Sequence, residues 1–229
     1  GIVRAALTLE ESTQCTDISS TLKCGTTALI NAIASVQSGK SNYSLVLSSD
    51  KRKSRVGSAQ ELDFGDASAA IGINNKNIIA KVLATSSVSV DFVDHFRAPN
   101  EEFDYNWEER WIRDEGYLKI IPKLINNLLK ENDINPSEIK KFILPCIFPR
   151  VPQTISKICG IDPENVVDNL SLNVGDSGSA HPLLMLTHVL ENAQPNEKIL
   201  VCSFGGGGDA ILLETTKLIS KFKNDESIS

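Results

Sequence analysis

A chain of 229 residues with 41% apolar content can build one substantial core or two small ones, so disorder is not the expectation. Its 23 basic and 29 acidic residues give a net charge of −6, and no basic stretch with interleaved aromatics recurs, which argues against a nucleic-acid partner. The apolar runs fall short of a membrane span and the first residues lack the basic-then-apolar order of a signal peptide, so a soluble, cytoplasmic protein is expected.

Aromatic residues make up only 6% of the chain, so the core should be aliphatic, as suits buried parallel strands under helices. Cys15, Cys24, Cys146, Cys159 and Cys202 are odd in number and form no C-x-x-C pair, which excludes neither buried thiols nor a reactive one but disfavours a disulfide framework or zinc ribbon. In chain order, residues 26–37 have helical apolar spacing, entered through Cys24-Gly25-Thr26-Thr27 and closed by Ser38-Gly39-Lys40. Residues 43–49 predict a strand and 50–63 a polar loop. Residues 67–73 and 78–86 predict two strands joined by a hairpin-like turn at Asn74-Asn75-Lys76-Asn77.

Residues 90–114 are polar and aromatic and hold both tryptophans, which predicts a surface excursion pinned by buried rings. A helix follows over 115–131 with Leu118, Ile121, Leu124, Ile125 and Leu128 on one face, and Pro122 is expected to kink or divide it. A strand over 141–144 ends at Pro145, and a helix over 153–159 is closed by Gly160, which can adopt the left-handed conformation of a C-cap. After Gly175-Asp176-Ser177-Gly178-Ser179-Ala180-His181 come a helix over 182–192, a strand over 198–204, four glycines and a strand over 210–214. Residues 221–229 are polar and expected to fray. Helices alternating with strands predict α/β layers.

Six segments, taken together and in order, resemble the thiolase superfamily, whose members join acyl groups through thioesters. Asp17-Ile18-Ser19-Ser20-Thr21-Leu22-Lys23-Cys24-Gly25-Thr26-Thr27-Ala28-Leu29 is similar to the elbow that presents the family's nucleophilic cysteine. Residues 43–50 resemble the strand that follows it, and Phe64-Gly65-Asp66-Ala67-Ser68-Ala69-Ala70 resembles the family's FGDGAGA turn. Ile143-Leu144-Pro145-Cys146, Gly175-Asp176-Ser177-Gly178-Ser179-Ala180 and Ser203-Phe204-Gly205-Gly206-Gly207-Gly208 stand where ketoacyl synthases have their histidine, their asparagine and their terminal glycine loop. The aromatic stretch is similar to a hydroxymethylglutaryl-CoA-synthase-like branch often partnered with a zinc-ribbon and OB-fold protein.

This resemblance, to ketoacyl synthase III and hydroxymethylglutaryl-CoA synthase, implies a thiolase-like layered α/β fold with an incomplete amino-terminal half. Residues 1–90 would be the remainder of that half and residues 91–229 the carboxyl-terminal half. Only residues 1–16 precede the elbow, too few for the family's βαβαβ portion, so the expectation is either a fragment of a longer polypeptide or a separate chain that completes the fold. It implies acyl-CoA as ligand or substrate, no metal, and a homo- or hetero-oligomer with a thiolase-fold chain.

The family's cysteine falls at Leu22, its histidine at Cys146 and its asparagine at Asp176. The last two normally supply hydrogen-bond donors to an oxyanion; an ionised Asp176 only accepts and Cys146 is a poor donor. Cys24 reads either as a relocated nucleophile at a helix N-terminus beside Lys23, or as a small residue filling a tight turn. His181 reads as the base or as a helix-capping histidine, and Asp176 as its hydrogen-bond acceptor or a turn former. Gly205, Gly206, Gly207 and Gly208 suit close approach of the backbone to a ligand or catalytic group, and no Lys-Ser or Lys-Thr follows to make a phosphate loop; the resemblance implies that their N–H groups line the oxyanion region and bind a thioester carbonyl. Two functions result: a non-catalytic or weakly catalytic subunit of an acyl-CoA-processing complex, or an active acyltransferase using Cys24 with His181 as base. The run Lys51, Arg52, Lys53 and Arg55 reads as a solvated turn or a CoA phosphate site.

Overall fold

The computed structural model describes residues 1–222. In chain order its elements are α1 (Ile2–Ala6), α2 (Cys24–Gln37), β1 (Tyr43–Lys51), α3 (Gln60–Asp63), β2 (Asp66–Asn74), β3 (Ala80–Ser89), β4 (His95–Phe96), β5 (Tyr105–Asn106), α4 (Glu109–Trp111), a π-helical segment (Ile112–Tyr117), α5 (Leu118–Glu131), β6 (Ile139–Ile143), α6 (Val151–Ile158), α7 (Ser171–Val174), α8 (His181–Asn192), β7 (Lys198–Phe204), β8 (Gly207–Thr215) and α9 (Ile219–Phe222). The tail expected to fray lies, from residue 223 onward, outside the described residues.

Four strands form one sheet in the order β3-β8-β7-β6. Only β6 and β7 run parallel and the other two pairs are antiparallel, so the expected parallel sheet is a mixed one. Both of its faces are nonetheless buried, which is why its strands are near-continuous apolar runs. Along β7, Ile199 and Val201 enter one core while Leu200, Cys202 and Phe204 enter the other, and β8 alternates in the same way. Ile121, Ile125 and Leu128 of α5 with Ile155 of α6 close one face. Leu29 and Ile33 of α2 with Leu183 and Leu186 of α8 close the other.

β1 and β2 pair antiparallel beyond α2 and α8, and their Val46, Ala69 and Ile71 complete that second core. The order helix, sheet, helix, sheet is the layered α/β architecture that the motifs imply. Residues 67–73 and 78–86 do not form a hairpin: β2 pairs with β1 and β3 with β8. Ile71 and Ile73 of β2, and Ile79 and Val82 at β3, pack from opposite sides on the same α2–α8 layer, which forces the two strands into different sheets. The four-stranded sheet therefore draws one strand from before residue 90 and three from after it.

The aromatic excursion is built differently from expectation. Its tryptophans are half-exposed, Trp107 at 49% and Trp111 at 47%, so the pinning falls instead to Phe92, packed on the core against Phe204. Its order comes from the β4–β5 pairing and from ring contacts, Phe96 on Tyr105 at 5.7 Å and Phe92 on Trp111 at 6.0 Å. Pro122 does not divide the helix, because it falls one turn into α5, close to the junction with the π-helical segment rather than mid-helix.

One buried ion pair ties the layers together. Lys23, just ahead of α2, meets the carboxylate of Asp209 in β8 at 3.0 Å, and Asp209 has no exposed surface. The carboxylate also accepts from the hydroxyls of Thr26 at 3.0 Å, Thr27 at 2.6 Å and Ser87 at 2.8 Å. A buried charge is tolerable only when satisfied in this way. Asp209→Ala leaves Lys23 buried without its counter-charge and should lower the unfolding free energy by roughly 3–5 kcal/mol; denaturant unfolding of the variant measures it, and a loss below about 1 kcal/mol would contradict this role.

Candidate functional site

The carboxyl ends of β1, β6 and β7 converge with the β4–β5 hairpin and the π-helical segment on one cavity of about 60 Å3. Open α/β sheets generally place their ligand sites at such strand ends. Leu22 from the elbow, Arg52 after β1, Tyr117, Cys146 after β6, Asp176 and His181 all line it. Leu22, Cys146 and Asp176, the three residues that the motif resemblance puts at the family's catalytic positions, thus line one cavity. Cys24 does not line the cavity; it is the first residue of α2, half-buried, with its N–H bonded to the Thr21 carbonyl.

The glycine loop is likewise not a lining element, and only its first two residues form a turn, since Gly207 and Gly208 belong to β8. The glycines are required by backbone contact. A Cβ on Gly205 would lie 2.9 Å from the Leu22 nitrogen, and one on Gly207, whose φ is +122°, would lie 2.0 Å from the Val88 carbonyl oxygen. The N–H of Gly205 is given to the Gly207 carbonyl at 3.1 Å.

His181 is buried with both ring nitrogens engaged. The Ser177 N–H donates to Nδ1 at 3.1 Å, so Nε2 carries the proton given to the Asn169 carbonyl at 2.7 Å, and no ring nitrogen is left to take a proton from substrate. Asp176 does not orient it. Its carboxylate accepts from the Gly178 N–H at 3.0 Å and forms an ion pair with Arg52, whose guanidinium lies 3.6 Å above the Phe64 ring. Arg52 is therefore neither a solvated turn residue nor a free phosphate ligand. The period-two alternation of β1 carried past its end, with residues 51, 53 and 55 exposed and residue 52 inward, is the signal that could have found it.

Sequence reasoning also passed over Tyr117 and the pair Asp94–His95, in contact at 2.9 Å, all of which line the cavity. Burial pushes the Cys146 thiol up to about 12, and its sulfur donates to the Phe148 carbonyl at 3.8 Å. At pH 8 the thiolate fraction is then on the order of 10⁻⁴, so Cys146 is a poor nucleophile. Brief treatment of the native protein with iodoacetamide at pH 8 should alkylate the exposed Cys15 and leave Cys146 unmodified, as read by peptide mass spectrometry; modification of both at equal rate would contradict the burial argument.

Comparison with known proteins agrees with this geometry. Residues 129–214 match the family model of the 3-oxoacyl-[acyl-carrier-protein] synthase III C terminal. The hydroxymethylglutaryl-CoA synthase of Methanopyrus kandleri is 26% identical over 225 residues, 97% of this chain and 64% of that protein. That of Thermococcus sibiricus is 29% identical over 188 residues, 81% of this chain and 53% of that protein. Among solved structures, the synthase III of Aquifex aeolicus superposes with a TM-score of 0.81 at 20% identity, covering 93% of this chain and 70% of that one. A hydroxymethylglutaryl-CoA synthase complexed with CoA gives 0.80 at 19% identity, covering 97% and 62%. The chain thus spans about three fifths of the length of the first curated relatives it matches. It is similar to hydroxymethylglutaryl-CoA synthases and, over residues 129–214, to ketoacyl synthase III, and it has the thiolase-like layered α/β fold of those solved structures.

Proposed function

We propose that this chain is a thiolase-fold subunit of an acyl-CoA-processing complex that does not itself form an acyl-enzyme. The observation that carries the reading is Leu22: a hydrocarbon side chain lines the cavity at the position where relatives of this type would present a thiol. Nothing around it compensates. Cys146 is held as the neutral thiol, His181 has no free nitrogen, and Asp176 is spent on Arg52. A volume of about 60 Å3 is also far below the roughly 300–1,000 Å3 of ordinary ligand pockets, so a long acyl chain has no room.

In this reading a partner thiolase-fold chain supplies the active cysteine, and coenzyme A thioesters are the shared ligand. The relatives named for hydroxymethylglutaryl-CoA synthase, one of them solved with CoA, support the acyl-CoA class, while pairing with a like chain rests on the family resemblance alone. The zinc-ribbon and OB-fold partner rests on the aromatic motif alone. Among the described residues no helix is long and apolar enough to cross a membrane.

Incubating the purified protein, with any co-purifying chain, with radiolabelled acetyl-CoA and mapping the label by mass spectrometry tests the reading. The expected outcome is no covalent label on this chain. Label on Cys24 that disappears in Cys24→Ser would overturn it in favour of an acyltransferase with a relocated nucleophile.

A further inference from the structure

The buried donors on the cavity wall are almost all committed. His181 serves Ser177 and Asn169, Ser203 is hydrogen-bonded to Thr26, and the Cys146 thiol faces the Phe148 carbonyl. Tyr117 differs. Its ring is buried and lines the cavity, yet its hydroxyl meets only weak partners, the neighbouring Cys146 sulfur, a poor acceptor, and the Pro145 carbonyl at 3.3 Å. Good O–H···O bonds are about 2.5–3.0 Å long, so this contact is weak and the hydroxyl is available to a better acceptor.

Its placement is also costly. Tyr117 closes the six-residue π-helical segment, a geometry seldom kept without a functional reason. Gly116 permits it: a Cβ there would lie 2.7 Å from the Phe204 ring and 3.0 Å from that of Phe92. Phe204 in turn stacks on Tyr117 at 4.3 Å between ring centroids, which holds the phenol in place. Burial and the nearby Cys146, Asp176 and Asp94 raise the phenol well above its ordinary value, so the hydroxyl remains a donor.

We propose that Tyr117 is the hydrogen-bond donor by which this cavity holds the carbonyl oxygen of a short acyl thioester, reversibly and without covalent chemistry. The inference rests on the reading of the chain as an acyl-CoA-handling protein and goes beyond it by naming the contact and the acyl size. A cavity of about 60 Å3 suits a two-carbon acyl head better than a six-carbon chain. The donor stands next to Cys146, whose own thiol is already given to the Phe148 carbonyl.

Titration calorimetry with acetyl-CoA, hexanoyl-CoA and free CoA, on the intact protein and on Tyr117→Phe, tests the inference. A neutral hydrogen bond to a carbonyl contributes a factor of about three to ten in affinity. The intact protein should prefer acetyl-CoA to free CoA by that factor, gain nothing from hexanoyl-CoA, and lose the preference in Tyr117→Phe while its affinity for free CoA is unchanged. Downfield movement of the carbonyl resonance of 13C-labelled acetyl-CoA on binding, absent in the variant, reads the same contact independently of stability. Equal acetyl-CoA affinity in both proteins, or an equal loss for acetyl-CoA and free CoA, would overturn the role of Tyr117 while leaving the acyl-CoA reading intact. Failure of the intact protein to bind any of the three would overturn both.

Discussion

The architecture depends on a single buried charge pair, Lys23 with Asp209. Lys23 sits at the turn into α2, Asp209 in the middle of the four-stranded sheet, and neither can leave the other without exposing an unbalanced charge to an apolar interior. The pair sets the height of the elbow above the end of β7. Gly205 and Gly207 then let the backbone close against that elbow and against β3. Leu22 reaches the cavity because Lys23 beside it is anchored.

A second arrangement follows from how the cavity balances its charge. An aspartate at position 176 would be an uncompensated anion between two cores, yet Arg52 is buried beside it and capped by the Phe64 ring. On the hairpin side the Asp94 carboxylate lies 2.9 Å from a ring nitrogen of His95. Between these pairs stand Tyr117 and Cys146, both held neutral by burial. A wall of compensated pairs around neutral donors suits a polarised but uncharged group such as a carbonyl better than an oxyanion, which would need donors with charge to spare.

Much of this was legible in the sequence. The helix of α2, the strand β7 and the amphipathic face of α5 follow from apolar spacing, and six ordered motifs point to the layered fold. What local pattern does not reveal is pairing: β2 and β3 look like a hairpin because the turn between them is short and polar, and only the helix layer that both must cover separates them. The basic run after β1 masks Arg52, which only the alternation of that strand carried past its end would single out, and no periodicity announces a π-helical turn. Motif order singled out Leu22, Cys146 and Asp176, and these three do line one cavity. The site was not legible as chemistry, because whether His181 is a base depends on the Ser177 N–H and the Asn169 carbonyl, which sequence spacing cannot place. Cys24 shows the same limit, since its residue type and helix position suit a nucleophile while the cavity lies elsewhere.

The central claim is that the cavity keeps the geometry of a thioester site and lacks its nucleophile. A crystal structure of the protein soaked with acetyl-CoA tests it most directly. The account predicts an intact thioester whose carbonyl oxygen lies within hydrogen-bonding distance of the Tyr117 hydroxyl and whose carbonyl carbon rests against Leu22. Density continuous from an acetyl group to the sulfur of Cys24 or Cys146 would contradict it.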